Sequence, residues 1–261
     1  VIVAITGAAR GIGYATAQAL LAKGATVVIG DIDEKAVAEA AETLGVRGLP
    51  LDVTSRESFT AFLAEAGEYD VLVNNAGIMP IGSVHEESDA DARRCMDINV
   101  HGVMLGTKLA LERFLPRGKG HVINIASLAG VLPTPGLALY NASKAAVVIF
   151  TEATRLEVNK HGVNVSAVLP SFTNTELVAG TRSPKGMRNC EPCDIADAVV
   201  ALIARPCPQV VVPKRLAANV RLMGLIPQRV KDAANKRYGL DTIFLDFDRD
   251  ARKAYDARIR E

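Results

Sequence analysis

Short apolar runs alternate along this chain with longer stretches in which apolar residues recur at helical spacing. The short runs fall at 1–6, 25–30, 46–51, 70–74, 120–126, 163–169 and 209–212. Most are continuous Val, Ile and Leu without polar alternation, the pattern of strands in a parallel sheet covered on both faces. The amphipathic stretches fall at 12–23, 34–44, 55–65, 91–114, 137–161 and 194–205 and predict helices. Such alternation closes through right-handed crossovers. The pattern predicts an α/β fold, a Rossmann-like doubly wound parallel sheet of about seven strands. Residues 1–213 form its body, and 214–261 read as a C-terminal helical extension of the same domain.

With 261 residues the chain is long enough to bury one large core. A composition of 49% hydrophobic and 23% charged residues is that of an ordinary globular protein. The net charge of +1 gives no argument for nucleic-acid or membrane partners, and 5% aromatic residues without Trp leave little for base stacking. No apolar run reaches the roughly 20 residues needed to cross a bilayer. Cys95, Cys190, Cys193 and Cys207 are too few for a disulfide framework in a chain this long. A reducing, cytoplasmic setting is therefore expected. Cys190-x-x-Cys193 has redox-motif spacing but lacks a thioredoxin-type strand–helix context and a second ligand pair for zinc. It reads as two incidental thiols, and no metal site is expected. The chain opens at Val1, already inside a strand-like run and without a Met, which leaves open a segment upstream, including a targeting segment.

Thr6-Gly7-Ala8-Ala9-Arg10-Gly11-Ile12-Gly13 links the first strand to the first helix. Glycines there let the backbone approach a pyrophosphate, and the helix N-terminus supplies free N–H groups and a positive dipole end. The spacing Gly-x-x-x-Gly-x-Gly differs from the Gly-x-Gly-x-x-Gly fingerprint, so position carries more weight than spacing. Asp31 ends the second strand, 18 residues after Gly13. A carboxylate there accepts hydrogen bonds from ribose hydroxyls and repels a 2′-phosphate, which favours NAD(H) over NADP(H). Arg10 argues for the phosphate, and a helix-capping role is the plainer reading of Asp31.

Tyr140 and Lys144 stand at i and i+4 on one helix face. A free tyrosine titrates near pH 10, too high for a base at neutral pH, and close cations such as an ammonium and nicotinamide would lower it by about two or three pH units. Alone, Tyr-x-x-x-Lys is a common surface pair. Ser127 follows the fifth strand and Asn74-Asn75-Ala76-Gly77 follows the fourth, at the sheet edge where open α/β folds bind ligands. Each has a plain structural alternative: a loop cap for Ser127, a buried structural amide for Asn99, backbone satisfaction for Asn75, a turn for Asp52.

Over residues 1–212 the chain resembles the classical short-chain dehydrogenase/reductases. The resemblance rests on Thr6-Gly-Ala-Ala-Arg-Gly-Ile-Gly13, Asp52-Val53, Asn74-Asn-Ala-Gly77, Asn99, Ser127, Tyr140-x-x-x-Lys144 and Pro170. It implies Tyr140 as general acid or base and Ser127 as the residue that polarises the substrate oxygen. It implies that Lys144 lowers the tyrosine pKa and binds the nicotinamide ribose, and that Asn99 anchors a water in a proton relay. Asp52 and Val53 would hold the adenine, Asn75, Ala76 and Gly77 would line the cofactor cleft, and Pro170, Thr173 and Thr175 would meet the carboxamide. Pro170-Ser171 departs from the family's Pro-Gly, and a serine would be strained if that position requires a positive φ.

The expected activity is hydride transfer between NAD(H) and an alcohol or ketone. An NADP(H)-dependent carbonyl reductase and a non-catalytic dinucleotide-binding scaffold are the alternatives. Residues 128–139 after Ser127 are almost wholly apolar, and with Met79 and Pro80 they predict a pocket for an uncharged, mainly apolar substrate. From Lys214 to Arg237 the extension carries Lys214, Arg215, Arg221, Arg229, Lys231, Lys236 and Arg237 against Asp232, with Leu216, Val220, Met223, Leu225 and Ile226 interspersed. A helix covering the cleft or a neighbouring subunit is the favoured reading, an interfacial helix on anionic lipid serving a lipid-modifying enzyme the other. Residues 246–261 carry both signs and predict an exposed terminal helix. The long helices at 91–114 and 137–161 offer an interface for a homo-oligomer, a tetramer or dimer by the resemblance.

Overall fold

The computed structural model describes residues 1–186, 188–222 and 226–260, with the side chains of Asn219 and Arg221 left out. Seven strands, β1 (Ile2–Thr6), β2 (Thr26–Asp31), β3 (Arg47–Pro50), β4 (Val71–Asn74), β5 (Gly120–Ile125), β6 (Val163–Pro170) and β7 (Gln209–Val212), form one sheet. Their order is β3-β2-β1-β4-β5-β6-β7, and every neighbouring pair is parallel. Strand order reverses between β1 and β4, so the crevice at their carboxyl ends is the topological switch point where such folds take ligands.

Alternate side chains of each strand enter opposite cores. On one face Val3, Ile5, Val27 and Ile29 pack with helices α1 (Gly11–Leu21), α2 (Glu34–Leu44) and α7 (Pro192–Ala204). On the other, Ala4, Val28, Leu72 and Val122 meet α3 (Arg56–Glu65) and α5 (Gly102–Arg117) through Phe59, Phe62 and Phe114. Each such fully buried aromatic or aliphatic side chain contributes about 2 kcal/mol from burial. Asp33, Ser55 and Ser88 cap α2, α3 and α4 (Asp89–Met96) by accepting from first-turn N–H groups.

The stretch 91–114 is not one regular helix. α4 and α5 are joined by a wide π-helical turn, Asp97–His101. The turn holds Asn99, whose buried amide exchanges two hydrogen bonds of 2.8 Å with the Ile78 backbone. A single π-turn re-aims one side chain within an otherwise regular helix. α6 (Ala138–Val158) carries Tyr140 and Lys144 on its first turns. Ser171 is unstrained, because no non-glycine residue among those described has a positive φ.

Beyond β7 the chain forms α8 (Ala217–Leu222), α9 (Gln228–Tyr238) and α10 (Arg249–Arg260). Of the tail residues singled out above, Met223 and Leu225 lie outside the described residues, as does the side chain of Arg221. α10 corrects the expectation of an exposed terminal helix: Arg252, Tyr255 and Ile259 are 0%, 4% and 8% exposed. They stand at i, i+3 and i+7, one buried stripe in a highly charged helix. Where the tail crosses the loop after β6, a Cβ on Gly180 would sit 2.3 Å from the Asp248 carbonyl, while the Asp248 N–H donates to Gly180 O at 2.8 Å. Only a glycine permits so close an approach of the two backbones. Among the described residues no helix is long and apolar enough to cross a membrane.

Candidate functional site

One continuous cleft of about 1760 Å³ runs along the carboxyl ends of the strands. At one end lie Gly7, Arg10, Gly11 and Ile12 from the β1–α1 turn. A Cβ on Gly7 would fall 2.6 Å from the Ala76 Cα, so glycine there lets two cleft-lining loops touch. Gly13 lies beneath the turn, packed against the Gly7 carbonyl and the Asn75 amide. The Ala9 N–H donates to Asp31 at 3.1 Å, and Asp31 also accepts from the Asp33 N–H at 3.2 Å. Asp31 therefore braces the turn while its carboxylate still faces the cleft with spare lone pairs.

Arg10 turns to Asp33, with Nη2 2.5 Å from the carboxylate, and its other arm reaches Glu176 at 4.0 Å. The Ala36 N–H, and after it the Arg10 guanidinium, hold the Asp33 carboxyl below the usual range. Arg10 is thus a compensated charge beside two carboxylates. Asp52 and Val53 line the cleft farther along, and Asp52 forms a side-chain turn by accepting from the Thr54 N–H and hydroxyl. Asn75 donates to the carbonyls of Thr6 and Gly7 at 3.0 and 2.8 Å, knitting β1 to β4, and Ala76 and Gly77 continue along the wall. Pro170, Thr173 and Thr175 line the cleft from the end of β6; the Thr173 hydroxyl donates to Ser171 O, and Thr175 packs against Gly11.

Ser127, Tyr140 and Lys144 meet in the middle of the cleft. Ser127 caps a short 3₁₀ turn by accepting from the Ala129 N–H at 3.0 Å, and its hydroxyl lies against the Tyr140 phenol. Lys144 Nζ donates to the Ile125 carbonyl at 2.9 Å and stands 5.7 Å from the Tyr140 ring centroid. Asn99 sits behind this group rather than on the cleft wall, its amide spent on Ile78 and, at 3.0 Å, on the Ser143 hydroxyl. Burial pushes the Tyr140 phenol above its ordinary value, with the Ser127 hydrogen bond drawing it partly back, and lowers Lys144 to about 8. Among these groups desolvation thus outweighs the expected pull of Lys144 on Tyr140.

The far end of the cleft is apolar. Met79, Leu137, Tyr140, Ile243 and Phe244 form one buried cluster, flanked by Phe172 and Leu177. Phe172 stacks on Phe244 at 5.6 Å between centroids. α10 locks this wall from behind: Arg252 donates to the carbonyls of Met79, Leu177 and Ala179 and pairs with Asp256 at 3.0 Å. Leu216, in the short turn before α8, Val220 of α8, and Lys231 and Tyr238 of α9 line the cleft, so part of the extension borders the site, with Lys231 the basic residue on the lining. Ile243, Phe244, Arg252 and Tyr255 escaped the sequence reading. For Arg252 and Tyr255 the 252/255/259 spacing was the signal, masked by the charges around it. Cys190 is buried, Cys193 exposed, and neither is paired.

A family model described as short chain dehydrogenase matches residues 1–186. Over 217 residues the chain is 39% identical to cis-4-hydroxycyclohexanecarboxylate dehydrogenase of Sinomonas cyclohexanicum, covering 76% of this chain and 87% of that protein. It is 32% identical over 265 residues to the probable oxidoreductase EphD of Mycobacterium tuberculosis, a match covering 90% of this chain and 45% of EphD. The chain therefore spans less than half of that relative's length. Among solved structures, a short chain dehydrogenase/reductase from Burkholderia phymatum in complex with NAD is similar at a TM-score of 0.77 with 28% identity. The match covers 90% of this chain and 95% of that one.

Proposed function

The chain belongs to the short-chain dehydrogenase family, and on that premise we propose that it transfers a hydride between NAD(H) and an uncharged, mainly apolar secondary alcohol or ketone. The observation that carries the reading is the meeting of Ser127, Tyr140 and Lys144 in the cleft that also holds the glycine turn and Asp31. A dinucleotide fits this cleft by its chemistry. The α1 N-terminus offers N–H groups to a pyrophosphate, and Asp31 offers a carboxylate to the ribose hydroxyls. Arg10 is engaged by Asp33, which favours NAD(H) over NADP(H). When bound, the nicotinamide supplies the hydride acceptor or donor.

Every other step falls to the protein. Ser127 holds the reacting oxygen, and Tyr140 gives or takes its proton. Lys144, fixed on Ile125 O, favours phenolate over phenol while it remains an ammonium. The buried Asn99–Ile78–Ser143 bonds keep the loop after β4 and the second turn of α6 in register. The apolar wall of Met79, Leu137 and Phe244 excludes water and favours hydrocarbon. The Sinomonas relative, by its name, acts on a ring-borne alcohol that also carries a carboxylate. Residues 1–213 act in this reading as the catalytic body and 214–261 as its extension, in a homo-oligomer. Unpaired thiols suit a reducing, cytoplasmic setting.

Melting temperatures with NAD, NADH, NADP and NADPH in parallel, followed by an alcohol panel with the best of them, test the proposal. A rise with NAD(H) and turnover of apolar secondary alcohols is expected. A rise with NADP(H) alone would overturn the cofactor assignment, and no turnover of any alcohol or ketone would overturn the reaction.

A further inference from the structure

The buried cluster of Met79, Leu137, Ile243 and Phe244 at the substrate end is hydrocarbon, with polar side chains such as Asn141, Lys231 and Tyr238 elsewhere on the cleft lining. α10 brings Tyr255 into the same cavity that Tyr140 lines, and leaves it 4% exposed. Its hydroxyl oxygen accepts the Met79 N–H at 2.9 Å. A phenol carries one proton and two lone pairs, so this bond leaves the proton unused. No acceptor for that proton is found among the described residues. Burial pushes the group up to about 12, which keeps the proton on the oxygen throughout the working pH range.

The ring cannot easily swing away. The Arg252 guanidinium lies 4.6 Å from its centroid and that of Arg258 5.5 Å. Arg252 is in turn fixed to the carbonyls of Met79 and Leu177, and Arg258 is paired with Glu176. Cations over the ring polarise the phenol toward donation. The result is a pre-oriented donor within a wall of Met79, Leu137, Ile243 and Phe244 that supplies no competing partner.

We propose that Tyr255 is a second hydrogen-bonding subsite, donating to an acceptor oxygen (a carbonyl, ester or ether) on the same substrate whose reacting oxygen meets Tyr140 and Ser127. The inference rests on the dehydrogenase reading and narrows its substrate class from plain hydrocarbon alcohols to those with a second oxygen. Desolvating the Tyr255 proton without a partner penalises a substrate that brings only hydrocarbon to this point. A neutral hydrogen bond in such a site corresponds to about tenfold in selectivity.

The test uses isosteric pairs: ethyl 3-hydroxybutanoate against 4-methyl-2-heptanol, and 4-methoxycyclohexanol against 4-ethylcyclohexanol. The wild type should favour the oxygenated member of at least one pair by about tenfold in kcat/KM, and Tyr255→Phe should abolish that preference. An unchanged ratio in the variant, or an equal loss on both members, would overturn the subsite. If the variant does not fold, a wild type without preference in either pair overturns it as well. If no alcohol is turned over, the dehydrogenase reading fails by itself. The pairs are then compared by the melting-temperature rise they cause, where equal shifts within each pair overturn the subsite.

Discussion

Arg252 and Met79, 173 positions apart in the chain, are joined by a hydrogen bond from a fully buried guanidinium to a backbone carbonyl. The same guanidinium holds Leu177 and Ala179, so one side chain ties the loops after β4 and β6 to α10. Removing it leaves those carbonyls short of a donor and Asp256 without its partner. Arg252→Met should cost about 3 kcal/mol in chemical denaturation, since breaking a buried pair from one side is costly. It should also raise KM for the alcohol more than Kd for the dinucleotide. Equal changes in both would mean that α10 does not serve the substrate end in particular.

Tyr140→Phe keeps the ring and removes the proton-transferring oxygen. Turnover should fall by at least about a hundredfold, with dinucleotide affinity little altered. Steady-state kinetics beside a binding titration make the comparison. Near-normal turnover would exclude Tyr140 as the acid–base group.

Asp31→Ala removes the carboxylate expected to read the ribose. Binding of NAD should weaken more than binding of NADP. Because Asp31 also accepts from Ala9 and Asp33, some loss for both is expected through the turn, and the ratio of the two Kd values is the informative quantity. A ratio equal to the wild type's would limit Asp31 to its structural bonds.

His121 is buried between β5 and β6, bonded to Ser166 at 2.9 Å, with Nδ1 unpartnered among the described residues. Burial lowers its pKa to about 4. The unfolded chain then binds a proton that the folded chain refuses. Its contribution is fully present above about pH 6.5 and is lost as pH falls toward 4. The loss amounts to about 3 kcal/mol. His121→Gln should flatten the acid limb of a stability–pH profile across that window. A limb of unchanged slope would assign acid sensitivity to other groups.

Ile149 and Leu156 lie seven positions apart on one face of α6 and are 71% and 57% exposed. Light scattering should report an oligomer, and Ile149→Glu should lower its mass. A monomeric wild type would remove the oligomer from the proposal.

The sheet, its helices and the glycine-turn end of the cleft were legible in the sequence because each is written locally. Strands buried on both faces read as unbroken apolar runs, and the glycine turn, Asp31, Ser127 and the Tyr140/Lys144 pair occupy fixed places relative to them. Asn99 was legible as a residue, but its π-turn was not, since α4 before it is too short and polar to set an apolar phase against which the shift would show. The α10 stripe failed for a different reason. An arginine is so seldom fully buried that Arg252 reads as part of a solvated face, and only the tertiary partners at Met79 and Leu177 turn it inward.

The hydrogen bonds that brace the two ends of the cleft also differ in how far apart their partners stand along the chain. Ala9 and Asp31 are 22 positions apart and Thr6 and Asn75 69, whereas the substrate wall needs Arg252 to find Met79 across 173. Closing a longer loop costs more entropy, and distant contacts are rewarded late in folding. A refolding chain should therefore regain a nucleotide cleft before it can distinguish one alcohol from another. In local unfolding the order reverses, with selectivity lost first and nucleotide binding last.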